Sequence, residues 1–346
     1  MSTIRCTSCS EWHHQSCVIA LDAELLPYVC ARCQVSVNGV SRNNSESNHM
    51  LVPPFLKKRD AEEAGPHRET LELRPPLDPN RAQSLNDLAF ALSTRFKKKG
   101  DFKDLEACIQ CYRGALELLP APHPSRCEAL SNLADKLLSR FENTGDLKNL
   151  EESIQCQREA LELLPPLHPR RPISLNNFGI ALLARFAQKG DFEDLDASIR
   201  CHQEALELRP ALHPHQNISL DNLANTLQLR SMKTGDFGDL EESIQCYREA
   251  LELFPALHHN RPFSLYNLGS MLTARFRKKG KFEDLDESIR CHREAVELSP
   301  GLHLDRHESL NALGHALSTR FEGNGDIEDL DESIRCHREA LELRLT

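Results

Sequence analysis

One period governs this chain of 346 residues. Gly100, Gly145, Gly190, Gly235, Gly280 and Gly325 stand 45 residues apart, and Pro75, Pro120, Pro165, Pro210, Pro255 and Pro300 keep the same step. Leu85, Leu130, Leu175, Leu220, Leu265 and Leu310 repeat it, as do Ala115, Ala160, Ala205, Ala250, Ala295 and Ala340. A unit of this size is one supersecondary element, too small to bury its apolar face alone. Neighbouring copies must therefore stack into a continuous core.

Each unit carries two helical patterns. In the first, Leu85, Leu88, Ala89, Leu92 and Phe96 fall at i, i+3, i+4, i+7 and i+11, one apolar stripe on an α-helix. Ser125 with Glu128, and Asp305 with Glu308, have capping-box spacing at its start. The periodic glycine ends it, since glycine enters the left-handed region without a Cβ penalty. The second helix is predicted to open at Asp104, Asn149, Asp194, Asp239, Asp284 or Asp329, with Glu152, Glu242, Glu287 and Glu332 completing a capping box in four units. It buries Leu105, Ile109 and Leu116 and stops at the following proline. The expected fold is all-α: an α-solenoid of about six helical hairpins.

In the fourth unit the second helix reads Ser243-Ile244-x-x-Tyr247-x-x-Ala250-Leu251-Glu252-Leu253-x-Pro255. This resembles the tetratricopeptide repeat (TPR), and the resemblance runs from about residue 66 to 346. The small residue at Ala89, Ala134, Gly179, Ala224, Gly269 or Gly314 fits the family's helix-packing position. The period of 45 residues departs from the family's 34. Leucine also stands where the family often has Trp or Tyr. Both departures resemble the long-repeat branch that includes kinesin light chains, and fungal repeat proteins that often end in a caspase-like CHAT domain. Residues 66–79 read as a half-unit, with 45-residue units following from about residue 80. The last unit has no polar capping helix, so a C-terminal continuation is expected.

The N-terminus differs in kind. Cys6-x2-Cys9-x4-His14-x2-Cys17-x12-Cys30-x2-Cys33 brings six soft ligands into 28 residues, at spacings that suit tetrahedral zinc. So short a segment has no adequate core, and the metal would supply its folding energy. The order resembles the later part of a PHD finger, in which Trp12 precedes His14 by two residues. By that resemblance Cys6, Cys9, Cys30 and Cys33 complete one zinc site. His14 and Cys17 need an upstream cysteine pair that is not in this sequence, so the finger reads as partial. Trp12 would be structural or one wall of a methyl-lysine cage on a histone tail. Residues 1–33 are thus read as the finger, 34–65 as a flexible linker and 66–346 as the repeats.

Other columns carry chemistry-bearing residues. Cys111, Cys156, Cys201, Cys246, Cys291 and Cys336 read as small core residues, because successive copies lie too far apart for disulfides. His123, His168, His213, His258 and His303 read as loop residues packing or hydrogen-bonding locally. Arg95 and its five equivalents are expected to pair with the acidic start of a second helix, at Asp104 or Glu106 and equivalents. Asparagines on the first helices are the candidate partner-binding residues. One register holds Asn86, Asn176 and Asn311; the next holds Asn132, Asn177, Asn222 and Asn267. At 100° per residue the first lies beside the apolar stripe and the second nearly opposite. The resemblance places first helices on the concave side, so the second register is expected to face a groove. There an amide can both donate to and accept from a peptide backbone. The competing reading is an amide tying neighbouring repeats together.

The 52 acidic residues against 42 basic ones give a net charge of −10, which opposes direct nucleic-acid binding. No stretch is long and apolar enough to span a membrane, and the first residues have no secretory h-region. An intracellular location, cytoplasmic or nuclear, follows. There is no phosphate-binding glycine loop, no G-x-S-x-G elbow and no H-E-x-x-H. The expectation is a non-catalytic adaptor that binds a protein or peptide in its groove and carries a zinc finger. The alternatives are a PHD-type chromatin reader and a regulatory fragment of a CHAT-protease-type protein.

Overall fold

The computed structural model describes residues 3–5, 12–14, 78, 80–121, 123–209, 213, 215–256, 258, 260–299 and 306–345. Strands β1 (Thr3–Arg5) and β2 (Trp12–His14) pair antiparallel, with Thr3 opposite His14 and Arg5 opposite Trp12. Twelve α-helices follow among the described residues: α1 (Arg81–Lys99), α2 (Phe102–Leu118), α3 (Arg126–Thr144), α4 (Leu147–Leu163), α5 (Arg171–Lys189), α6 (Phe192–Glu207), α7 (Gln216–Thr234), α8 (Phe237–Leu253), α9 (Arg261–Lys279), α10 (Phe282–Leu298), α11 (Arg306–Asn324) and α12 (Ile327–Leu345). Each unit is one hairpin, α1 with α2 through α11 with α12, and each second helix packs on the next unit's first helix. The result is the all-α solenoid of six hairpins that the period implies. The half-unit and the expected linker, apart from Asp78, lie outside the described residues.

The core is the repeated column pattern made solid. Leu105, Leu150, Leu195, Leu240 and Leu285 are buried, and Ala115, Ala160, Ala205, Ala250 and Ala295 lie where two helices touch. Every first helix ends at its periodic glycine, with φ between 68° and 76° in all six units. In all six units the glycine N–H returns to the carbonyl four residues earlier, as Gly100 does to Phe96 at 2.7 Å. An alanine there would pay the left-handed Cβ penalty in every unit.

Two expected caps are displaced. The second helices begin two residues before Asp104 and its equivalents, and the caps are Asp101, Asp146, Asp191 and Asp236. Their carboxylates accept from backbone N–H groups of the first turn, as Asp101 does from Lys103 at 2.9 Å. Asp104 is instead taken by Arg95, and Glu152, Glu287 and Glu332 pair with Arg113, Arg248 and Arg293 of the preceding unit rather than closing capping boxes. Ser125 precedes α3 without a side-chain cap bond. Asp305 lies outside the described residues. The loop histidines act at this corner instead. The Nδ1 atoms of His123, His168, His213 and His258 accept from the backbone N–H two residues on, at 3.1 to 3.2 Å. These four histidines are turn chemistry; His303 lies outside the described residues.

Arginines fasten one unit to the next. Arg185 lies against Asp194 in its own unit at 2.7 and 2.5 Å and reaches Glu151 of the preceding unit at 3.0 Å. Arg230, Arg275 and Arg320 repeat both arms, to Asp239 and Asp196, to Asp284 and Glu241, and to Asp329 and Asp286. In the second unit Asn149 replaces the aspartate and still accepts from Arg140. The aspartates are nearly buried while the arginines keep one exposed edge. This geometry is bidentate and shielded, unlike a lone surface pair.

Candidate functional site

First helices of successive units approach one another, α3 to α5, α5 to α7, α7 to α9 and α9 to α11. Elements drawn together across a stacked array lie on the inside of its curve. The first helices therefore form the inner face. Each is covered by its own second helix, by the preceding second helix and by the flanking first helices, so burial reaches well beyond the apolar stripe.

That geometry corrects the placement of the second asparagine register. Asn132 and Asn267 are buried, and Asn177 and Asn222 are half-buried, rather than all four standing opposite the core. Asn267 donates to Asn225 Oδ1 at 3.0 Å. Asn222 Nδ2 is buried with no hydrogen-bond partner. Asn177 lines a small pocket with Asp135, Leu138, Ser139, Glu142, Gln157 and their neighbours, enclosing about 30 Å³ of free space.

The first register ties repeats together. The Asn176 amide bridges Ser219 Oγ at 2.9 Å and His202 Nδ1 at 3.1 Å, and turning its oxygen toward Ser219 also satisfies the Arg209 guanidinium. Ser131 with Ser174 at 3.2 Å, and Asp221 with Ser264 at 2.5 Å, make the same seam contact in adjacent units. Asn86 has Ala129 where those residues have serine, and its Oδ1 is buried without a partner. Asn311 lies 3.2 Å from His337 Nδ1 within its own unit.

Two columns escaped the sequence reading. Ser153, Ser198, Ser243, Ser288 and Ser333 donate from the second helix to the carbonyl of the small residue on the first, at 2.7 to 3.0 Å. Cys108 does the same with its thiol toward Ala89. The next column, Tyr112, Gln157, His202, Tyr247, His292 and His337, lies over that small residue. Wherever it is histidine the small residue is glycine, at Gly179, Gly269 and Gly314, and wherever it is Tyr or Gln the small residue is alanine. A Cβ built on Gly179 would stand 2.6 Å from the His202 ring, and one on Gly269 2.7 Å from His292. The signal was present as a pairing of columns 23 residues apart.

The cysteine column is held in its thiol form. Burial pushes the thiols of Cys108, Cys156, Cys246 and Cys291 up to about 12, and those of Cys201 and Cys336 to about 11. Such thiols are poor nucleophiles and poor metal ligands at neutral pH. Among the described residues, no group of His, Cys, Asp or Glu is placed to hold a metal ion, and no helix is long and apolar enough to cross a membrane. Of the expected zinc ligands, Cys6, Cys9, Cys17, Cys30 and Cys33 lie outside the described residues. His14 and Trp12 are described only as backbone of β2.

Comparison with known proteins points one way. The sequence model of the tetratricopeptide repeat matches residues 81–125, 264–300 and 308–343, and a second tetratricopeptide model matches residues 235–257. No curated protein sequence matches the chain. Pseudomonas aeruginosa PilF is similar at 16% identity, with 74% of this chain and 90% of PilF covered and a TM-score of 0.50, a likeness of fold. A putative kinesin light chain of Podospora anserina with nearly identical TPR-like repeats is 16% identical, with 62% and 96% covered and a TM-score of 0.45. YrrB, a TPR protein with an unusual peptide-binding site, is 17% identical, with 69% and 98% covered and a TM-score of 0.43.

Proposed function

From a chain that carries tetratricopeptide repeats, we propose a non-catalytic scaffold that holds an extended segment of a partner protein along the inner face of the array. Repeat arrays of this family are protein-interaction scaffolds. One observation carries the reading for this chain. Along the inner face and directly beneath it, buried amide groups stand without partners: Gln157 Oε1, which reaches from the second helix α4 into the pocket that Asn177 lines, and Asn222 Nδ2, one unit after Asn177. An unmade buried hydrogen bond is costly, and a peptide backbone supplies both the donor and the acceptor that would satisfy such groups.

The test uses the full chain and peptides selected on it from a random display library. The double variant Asn177→Ala, Asn222→Ala is expected to bind the selected peptides about 5- to 160-fold more weakly, at roughly 0.5–1.5 kcal/mol per lost hydrogen bond. Its thermal melt should be unchanged, because Asn222 Nδ2 loses no intramolecular bond and alanine favours helix. Unchanged affinity with a lowered, broadened melt would make these asparagines structural ties and sink the reading.

The N-terminal cysteines belong to the proposal on donor chemistry alone. Cys6, Cys9, Cys30 and Cys33 supply four thiolates in two Cys-x2-Cys pairs, the set that closes a structural zinc site. His14 and Cys17 are left as an incomplete second set. Zinc analysis of the purified chain should find about one tightly held ion. Cys30→Ser should lose it while the helical circular dichroism stays constant; two ions or none would refute the single-site assignment.

A further inference from the structure

Resting on the groove reading, we propose that the inner-face pocket between the second and third units is a recognition site for a cationic side chain, a lysine or arginine of the bound partner. The pocket exists because of one substitution within the repeat pattern. In the fourth unit, Tyr247 fills the corresponding space over Ala224, and its hydroxyl lies 2.7 Å from Asn225 Oδ1 and 2.5 Å from Gln228 Oε1. In the second unit the small residue is again alanine, Ala134, but Gln157 stands in place of tyrosine. The shorter side chain leaves about 30 Å³ unfilled, room for a water-sized group such as an ammonium.

The lining sets the sign of the occupant. Gln157 is 1% exposed, and its Oε1 is an acceptor with no partner. Both ionisable groups that line the pocket are acids, Asp135 and Glu142. Asp135 is held by the buried Lys136 at 2.8 Å. Glu142, at the rim, makes no ion pair among the described residues. Desolvation, and then the Asp135 charge, hold its carboxyl above the ordinary range, while Lys136 pulls the other way. In the fourth unit the equivalents of Asp135 and Glu142 are Asn225 and Met232, so no second copy of the site is built there. An ammonium or guanidinium donates to Gln157 Oε1 and faces Glu142. A carboxylate in the same place faces the like charges of Glu142 and Asp135.

A random library of displayed peptides, panned against the full chain, tests this. Wild type should select peptides with Lys or Arg at one fixed position, and replacing that residue by norleucine should weaken binding about tenfold or more, the effect of a charge-assisted hydrogen bond. Gln157→Tyr fills the pocket with the residue that Tyr247 is, over the same alanine. Glu142→Gln keeps the shape and removes the charge. Both variants should keep the wild-type melt and bind the basic peptide about tenfold more weakly; Gln157→Tyr should also cease to distinguish lysine from norleucine, while Glu142→Gln should narrow the difference. Peptides that bind with no fixed basic position, or a lysine preference that survives Gln157→Tyr, overturn the pocket assignment while leaving the groove reading intact. Selection of no peptide overturns both. A variant that melts early is replaced by the norleucine comparison on wild type, which reads the same contact without altering the chain.

Discussion

Gly179→Ala lowers the stability of the array by about 1–3 kcal/mol, and adding His202→Gln restores most of it. The added methyl has nowhere to go. Its Cβ would stand 2.6 Å from two atoms of a ring that is fully buried and bridged to Asn176. The loss exceeds the gain in helix propensity of about 1 kcal/mol that Gly→Ala gives in an open helix. The double variant copies the second unit, where Ala134 faces Gln157 and both fit. Chemical denaturation of the two variants measures the cycle. A single variant as stable as wild type, or a double variant no better than the single, would mean that the histidine and glycine columns are independent.

Acidification produces the second large effect, and its sign follows from burial. Burial, reinforced by Arg209, depresses His202 to about 3; burial, reinforced by His315, depresses His292 to about 4. Both titrate near 6.5 in the unfolded chain. Their contribution is intact above pH 6.5, and each loses about 1.4 kcal/mol per pH unit below it, because the unfolded chain takes a proton that the folded one refuses. Asp221 works in the other direction. Burial raises it to about 6, so the folded chain gains a proton first between pH 6 and 4 and recovers about 1.4 kcal/mol per unit. The three groups together leave a net loss of about one such increment per unit from pH 6 to 4. Below that, carboxylates held down by arginine or lysine, such as Asp104 and Glu151, add further loss. Stability should be nearly level from pH 7 to 6.5 and fall from there to pH 4, and Asp221→Asn should steepen the fall below pH 6. A flat or rising profile contradicts the assignment of neutral buried histidines.

The helices, their number and the glycine stops were legible because each is written locally and then repeated, so errors in one unit are corrected by five others. The caps were misplaced for a specific reason. Asp101 and Asp104 are both acidic and three residues apart, and only the arginine nine residues before Asp104 decides which carboxylate is free to cap. Periodicity sees the spacing but not that competition. The asparagines were misjudged on geometry: a wheel treats one apolar stripe as the only buried face, whereas a first helix here is packed on three sides. Ser198 and its column were invisible as contacts, since a serine donating to a carbonyl 19 residues away has no local signature.

The two-armed arginine has a consequence for how such a chain changes length. Arg185, Arg230, Arg275 and Arg320 each clasp an aspartate of their own hairpin and an acid of the preceding one, so these seams present interchangeable halves. Unequal crossing-over that removes or duplicates one whole 45-residue segment therefore rejoins a guanidinium to a fresh pair of carboxylates and strands no charge. Such an array can lengthen or shorten its inner face one hairpin at a time without rebuilding a seam.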